Sequence, residues 1–214
     1  MKQYDTYIFD LDGTLLYTLD DLTASTNFAM REHGFKEHTV DEVRLMVGNG
    51  IRKLIERAIP DGLANPEYEA TYATFISHYL KHSLDTTHPY PGIMELLSEL
   101  KKRGKKMAVV SNKYYKATES LCATFFKDYI DVAIGESEKI RKKPAPDTVI
   151  EAMRRLGSDK EHTVYIGDSE VDIATARNCG IACISVLWGF RDKSFLIRNG
   201  GKIFADNPLE ILDC

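Results

Sequence analysis

Short apolar runs, each stopped by a charged or glycine-bearing loop, are the pattern that most restricts how this chain can fold. Thr6-Tyr7-Ile8-Phe9 runs into Asp10-Leu11-Asp12-Gly13-Thr14, and residues 107–110 run into Ser111-Asn112-Lys113. Residues 132–134 precede Gly135, 163–166 run into Gly167-Asp168, 182–186 follow Gly180, and 202–205 form a short late candidate strand. Between them lie helical segments, such as 93–102 with Ile93, Leu96, Leu97 and Leu100 at helical spacing. Uninterrupted apolar runs are strands buried on both faces, and their alternation with helices requires a parallel sheet covered on both sides. The expected fold class is α/β, with ligands bound beyond the carboxyl ends of the strands.

The rhythm breaks once. Residues 17–82 carry helical periodicity with no convincing strand, in segments 19–31, 39–46, 51–58 and 66–81. His88-Pro89-Tyr90-Pro91-Gly92 marks the return to the strand–helix rhythm, because proline and glycine resist continuation of helix and strand alike. The chain therefore divides into a core domain of residues 1–16 and 87–214 and a helical insertion of residues 17–86.

The chain has 214 residues, of which 43% are hydrophobic and 28% charged, enough apolar material for a sizeable core. A net charge of −4 gives no general affinity for nucleic acid. No apolar run approaches the roughly 20 residues that span a bilayer. The N-terminal residues enter a strand without the apolar stretch of a signal peptide. Cys122, Cys179, Cys183 and Cys214 have no paired metal-ligand spacing and read as reduced thiols, so the expected location is cytoplasmic, with no membrane partner.

Asp10 and Asp12 sit at the end of a buried strand, where uncompensated charge costs several kcal/mol or more. A cation would settle that cost, and the pair could divide nucleophilic attack and proton transfer between them. In a parallel sheet, four segments would gather at one edge: 10–14, Ser111-Asn112, 142–147 and 167–172. Their carboxylates, hydroxyl, amide and lysine suit phosphoryl transfer with a hard cation such as Mg²⁺.

These four segments, in this order, resemble the four motifs of the haloacid dehalogenase superfamily. Asp10-Leu11-Asp12-Gly13-Thr14-Leu15 matches the first, Ser111-Asn112 the second, Lys143-Pro144 the third, and Gly167-Asp168-Ser169-Glu170-Val171-Asp172 the fourth. The resemblance implies a Rossmann-like core with a small inserted α-helical cap domain. Val47-Gly48-Asn49-Gly50 and Val186-Leu187-Trp188-Gly189-Phe190 resemble the phosphoglycolate phosphatase branch in particular. It further implies that Asp10 is the nucleophile and forms an aspartyl-phosphate. Asp12 would protonate the leaving oxygen and then deprotonate the hydrolytic water. Asp10, the main-chain carbonyl of Asp12, and Asp168 would hold Mg²⁺. Lys143 would sit against the nucleophile, and with Ser111, Asn112 and Gly13 would bind the phosphate. Tyr17-Thr18 departs from the acidic residue and serine often found there.

Some of these residues also have purely structural readings. Ser169 through Asp172 fits a capping box, which suffices to explain Asp172; a place behind the metal ligands, orienting a metal-bound water, suits it better than direct ligation. Ser111-Asn112 could cap the helix that follows. Lys142 reads as solvated, leaving Lys143 as the functional lysine. Arg52, after the Gly48-Asn49-Gly50 turn, is equally a substrate-binding cation and a solvated arginine. The scattered histidines, Cys179, Cys183 and Trp188 read as structural.

The expected activity is Mg²⁺-dependent hydrolysis of a small phosphorylated metabolite, phosphoglycolate first, by a monomer or homodimer. Alternatives within the same family are a pyrophosphatase or nucleotidase and a phosphomutase of the β-phosphoglucomutase kind. Asp12 argues against dehalogenation, and the intact acid and lysine set argues against a silent phospho-ligand binder.

Overall fold

The computed structural model describes residues 4–214. They form two compact units, one of the residues up to Leu16 with Pro89–Cys214, the other Tyr17–His88. The chain begins with β1 (Thr6–Phe9) and crosses between the units at β2 (Leu16–Tyr17). The second unit holds α1 (Leu19–Glu32), α2 (Val40–Met46), α3 (Ile51–Ala58) and α4 (Tyr68–His82). The return crossing is β3 (His88–Pro89), followed by α5 (Ile93–Lys102), β4 (Lys106–Tyr114), α6 (Tyr115–Phe125) and β5 (Val132–Glu136). Then come α7 (Asp147–Leu156), β6 (Thr163–Gly167), α8 (Glu170–Cys179), β7 (Ala182–Val186), α9 (Lys193–Arg198) and β8 (Ile203–Ala205).

Six strands form one sheet in the order β5-β4-β1-β6-β7-β8. Every neighbouring pair is parallel. The sheet is buried on both faces, and the period of two sorts its side chains. Tyr7, Phe9, Met107, Val109, Val164, Ile166, Ile184 and Val186 join Leu96, Leu97, Leu100 and Leu121 of α5 and α6 in one apolar cluster. Ile8, Ala108, Val110, Ile134 and Tyr165 join Val149, Ala152, Met153, Ala176 and Cys179 of α7 and α8 in the other. Ile8 and Phe9 are fully buried, each contributing about 1.5–3 kcal/mol to the core. The chain leaves β1 toward β4 and β5, then crosses back to β6, so the strand order reverses at β1. That switch point is where such a sheet binds ligands.

Two details differ from expectation. The strand expected to stop at Val110 runs on to Tyr114, with a register shift against β5 beyond Val110. Ser111, Asn112 and Lys113 are buried, so their polarity marks a polar interior rather than a solvent loop. His88-Pro89, in the stretch expected to resist strand continuation, pairs with Leu16-Tyr17 as a two-stranded ribbon. A two-residue edge strand tolerates proline because one missing N–H removes little of so short a ladder.

In the second unit α1 packs on α4, and the rings of Phe75 and Tyr79 stack 5.4 Å apart. Thr39 caps α2 in a reciprocal box with Glu42. The buried carboxylate of Asp21 accepts hydrogen bonds from the backbone N–H groups and hydroxyls of Thr86 and Thr87, at 2.6–3.2 Å. Cys122, Cys179, Cys183 and Cys214 are free thiols. No helix among the described residues is long and apolar enough to cross a membrane.

Candidate active site

The first functional loop is built by β1 and a glycine turn. The Asp10 N–H donates to the Ile166 carbonyl at 2.8 Å, extending the ladder with β6 by one residue. The Leu11 N–H donates to Asp10 Oδ1 at 2.7 Å and orients that carboxylate. The turn closes when the N–H groups of Leu15 and Leu16 both reach the Leu11 carbonyl at 3.0 Å. Gly13 sits at φ +84°, and a Cβ there would lie 2.4 Å from Asp168 Oδ2. Glycine is therefore needed twice over, for backbone conformation and for space.

Strand β6 and helix α8 deliver the remaining carboxylates. Asp10, Asp168 and Asp172 each offer an oxygen within 4.8 Å of the others. Asp168 Oδ2 accepts from the Phe190 N–H at 2.7 Å, and Oδ1 from the Thr14 hydroxyl at 3.5 Å. Asp172 Oδ2 accepts from the Ser169 N–H at 3.1 Å and its hydroxyl at 2.6 Å. Asp172 Oδ1 takes Lys143 Nζ at 2.8 Å and the Tyr165 hydroxyl at 3.1 Å. Both Asp172 oxygens are thus engaged by protein donors, whereas Asp168 has no basic side chain at ion-pair distance among the described residues.

Lys143 is the cation of the cluster. Its ammonium lies 2.9 Å from Asp10 Oδ1 and 2.8 Å from Asp172 Oδ1, with its side chain 2% exposed. The Tyr165 hydroxyl accepts a third hydrogen bond from it at 3.0 Å. Burial works against the charge of Lys143, but Asp10 and Asp172 outweigh it and hold the ammonium above the ordinary lysine range. Burial, then the charge of Asp172, pushes Asp10 up to about 7, against the pull of Lys143. Burial and the same neighbouring acids push Asp168 well above the carboxylate range. When ionised, three carboxylates facing one ammonium leave two negative charges unbalanced. All the free donors are oxygens, so the set fits a hard divalent cation that would neutralise the excess.

The second motif meets the third through its backbone. Asn112 Nδ2 donates to the Lys143 carbonyl at 3.1 Å, tying the end of β4 to the segment that carries the lysine. Ser111 Oγ accepts from the Lys113 N–H at 3.1 Å. Lys142 is 40% exposed at its side chain and pairs with Glu136 at 2.8 Å. The Asp12 carboxylate stands apart from the three clustered acids and pairs with Lys113 Nζ at 2.7 Å. Arg52 belongs to α3 in the second unit, where it pairs with Glu69 at 2.9 Å and lies 4.3 Å over the Tyr72 ring.

Three contributors escaped sequence reasoning. Lys113 carried a signal, since it directly follows Ser111-Asn112. Tyr165 carried a weaker one, as a phenol inside an apolar strand. Gly189 is the third: a Cβ there would lie 2.2 Å from the Asp168 Cβ. Its proximity to Asp168 depends on a loop 21 residues downstream, and the sequence marked it only as part of the 186–190 stretch. Trp188, expected at the core edge, packs against the Phe9 cluster and donates Nε1–H to the Thr14 carbonyl at 2.9 Å.

Residues 7–186 match the haloacid dehalogenase-like hydrolase family. A phosphoglycolate phosphatase of Aquifex aeolicus is 32% identical over 184 residues, covering 86% of this chain and 84% of that protein. An N-acetylmuramic acid 6-phosphate phosphatase of Pseudomonas aeruginosa is 30% identical, covering 96% of this chain and 92% of that protein. Among solved structures, a Lactobacillus delbrueckii protein assigned as a phosphoglycolate phosphatase superposes with a TM-score of 0.94. It is 35% identical and the match covers 98% of this chain and 97% of that one.

Proposed function

Because this chain belongs to the haloacid dehalogenase-like hydrolases and is a phosphoric monoester hydrolase of that family, we propose that it works through an aspartyl-phosphate on Asp10. The observation that carries this reading is the Asp10 carboxylate at the switch point of the sheet, 2.9 Å from a buried ammonium. Asp10 attacks phosphorus, and the bond to the ester oxygen breaks. Asp12 delivers a proton to that departing oxygen, then takes one from the water that cleaves the acyl phosphate. Ser111 and Lys143 hold the non-bridging oxygens; the Gly13 N–H, expected to join them, is donated to the Leu16 carbonyl at 2.9 Å. Asn112 anchors the Lys143 backbone with one Nδ2–H, and its second Nδ2–H is the proposed donor to a phosphate oxygen.

Asp10, the Asp12 carbonyl and Asp168 are the proposed ligands of Mg²⁺, with Asp172 holding Lys143 and the α8 N-terminus behind them. When bound, the cation neutralises excess carboxylate charge and stabilises the charge that develops on the phosphoryl group. Residues 17–86 are proposed as the cap domain, supported by the compact unit Tyr17–His88, and Arg52 as its substrate-binding cation. Phosphoglycolate is the first candidate substrate. The relatives named for phosphoglycolate and for N-acetylmuramic acid 6-phosphate support a shared chemistry, a phosphomonoester that also carries a carboxylate.

A panel of phosphomonoesters with and without carboxylates, ranked by kcat/KM in Mg²⁺ and then in chelator, tests the proposal. Carboxylate-bearing esters rank first, chelator removes turnover, and Asp10→Asn loses about 10⁴-fold or more, as expected for a nucleophile. Full turnover by Asp10→Asn, or neutral sugar phosphates ranking far above the acids, overturns the mechanism or the substrate class respectively.

A further inference from the structure

We propose that Lys113 is a positioning residue for Asp12, fixing the carboxylate that exchanges protons with the ester oxygen; this rests on the reading of Asp12 given above. The two acids of the first loop each have their own lysine. Asp10 is held by Lys143, and Asp12 Oδ1 is held by Lys113 Nζ at 2.7 Å. The second pair is not an ordinary surface ion pair. The Lys113 side chain is 3% exposed, against 21% for Asp12. Stripping an ammonium of water costs several kcal/mol unless a partner compensates, so the pair holds its geometry far more firmly than an exposed one would.

The lysine is itself held at its root. Its N–H donates to Ser111 Oγ at 3.1 Å, and its carbonyl accepts from the Thr118 hydroxyl of α6 at 3.3 Å. Gly135 leaves room for that carbonyl, since a Cβ there would lie 2.8 Å from it. Strands β1 and β4 are parallel neighbours, so residues two positions beyond Asp10 and near the end of β4 meet by topology. Asp12 is not in the group of clustered acids formed by Asp10, Asp168 and Asp172. One oxygen of Asp12 is tied, and the other makes no hydrogen bond among the described residues. A carboxylate fixed by one oxygen and open at the other is pre-oriented for proton exchange.

The test compares kcat/KM, which reports events up to departure of the leaving group, for para-nitrophenyl phosphate and for the most active alkyl phosphate of the panel. The nitrophenolate leaves without a proton, whereas the alkoxide needs one. Asp12→Ala therefore loses more on the alkyl ester. Lys113→Met loses about tenfold or more beyond its loss on the aryl ester, a part of the 10²–10⁴ that general acid catalysis contributes. Lys113→Arg recovers most of that loss, and Lys113→Gln follows Lys113→Met if the methionine variant fails to fold. Added to Asp12→Ala, Lys113→Met costs little further, because its effect passes through Asp12. Equal losses on both esters, or multiplying losses in the double variant, overturn the inference while leaving Asp12 in its role. Asp12→Ala with no dependence on leaving group overturns the reading of Asp12 itself.

Discussion

The two units treat charge in opposite ways. At the edge of the sheet, Lys143, Asp10, Asp168 and Asp172 are buried, and acid exceeds base. In the helical unit, Arg52 and Glu69 pair with their side chains 54% and 71% exposed, and Arg31 and Glu37 with 55% and 48%. That unit buries one carboxylate, Asp21, and satisfies it wholly with neutral donors from Thr86 and Thr87. Balanced charge at a surface, or a buried acid with a full set of donors, is what folding alone tolerates. A buried excess of like charge must take up protons or be completed by a ligand, which marks it as a candidate functional site. The contrast supports the proposal that bond-breaking belongs to the sheet unit and selection of the substrate to the helical one.

The largest combined effect on stability and rate should come from breaking the buried side of this contrast at Lys143. Lys143→Met leaves Asp10 and Asp172 facing each other without an ammonium, and removing one partner of a buried pair costs about 3–5 kcal/mol. If Lys143 holds the phosphoryl group as proposed, its loss lowers kcat/KM by about 10²–10³-fold. Lys142→Met, one residue away, removes a half-exposed pair with Glu136 and shifts stability by about 0.5 kcal/mol or less, with activity unchanged. Chemical denaturation and kinetics of the two variants measure the comparison directly. Equal effects would mean that burial is not what separates adjacent lysines.

That adjacent pair also shows what a sequence can and cannot disclose. The strands were legible because a sheet buried on both faces leaves unbroken apolar runs, and the two apolar clusters follow the alternation of Ile8 against Phe9. Lys143 was legible beside proline, and Asp172 as a capping partner, because both depend on neighbours in the chain. The extension of β4 to Tyr114 was hidden, since buried polar residues look like loop residues until their partners are known. Lys113 with Asp12, and Tyr165 with Lys143, were hidden for the same reason: each partner lies on a different strand or loop. The Gly189 contact with Asp168 depends on a loop following another strand, which no local pattern encodes.

A second effect, smaller and graded, follows from the excess charge. Burial and Asp172 raise Asp10 from 3.8 to about 7, and Asp168 is raised as well. Between those pH values the folded protein binds more protons than the unfolded chain. The contribution of these groups is therefore fully present below about pH 4 and is lost as pH rises toward 7. A divalent cation binds the ionised carboxylates, so its stabilisation should grow over the same range. Urea denaturation in chelator should give a lower midpoint at pH 8 than at pH 5, with Mg²⁺ restoring more at pH 8. A metal-free midpoint that rises with pH, or a Mg²⁺ effect larger at pH 5, would show that the clustered acids are already compensated by protein groups.

The smallest effect tests the exposed side. Arg52 rests on Tyr72 at 4.3 Å and pairs with Glu69, both near the surface, so Arg52→Ala should cost about 1 kcal/mol or less in stability. Its kinetic signature decides its use. If Arg52 binds the substrate's carboxylate, the variant raises KM for carboxylate-bearing esters, leaves kcat nearly unchanged and leaves para-nitrophenyl phosphate untouched, because binding common to ground state and transition state appears in KM alone. The loss on the acid substrates should lie within about 1.5–3 kcal/mol, the range of a hydrogen bond to a charged group. Unchanged KM across the panel would return Arg52 to its pair with Glu69 as a surface residue, and the choice of substrate would then rest on other residues.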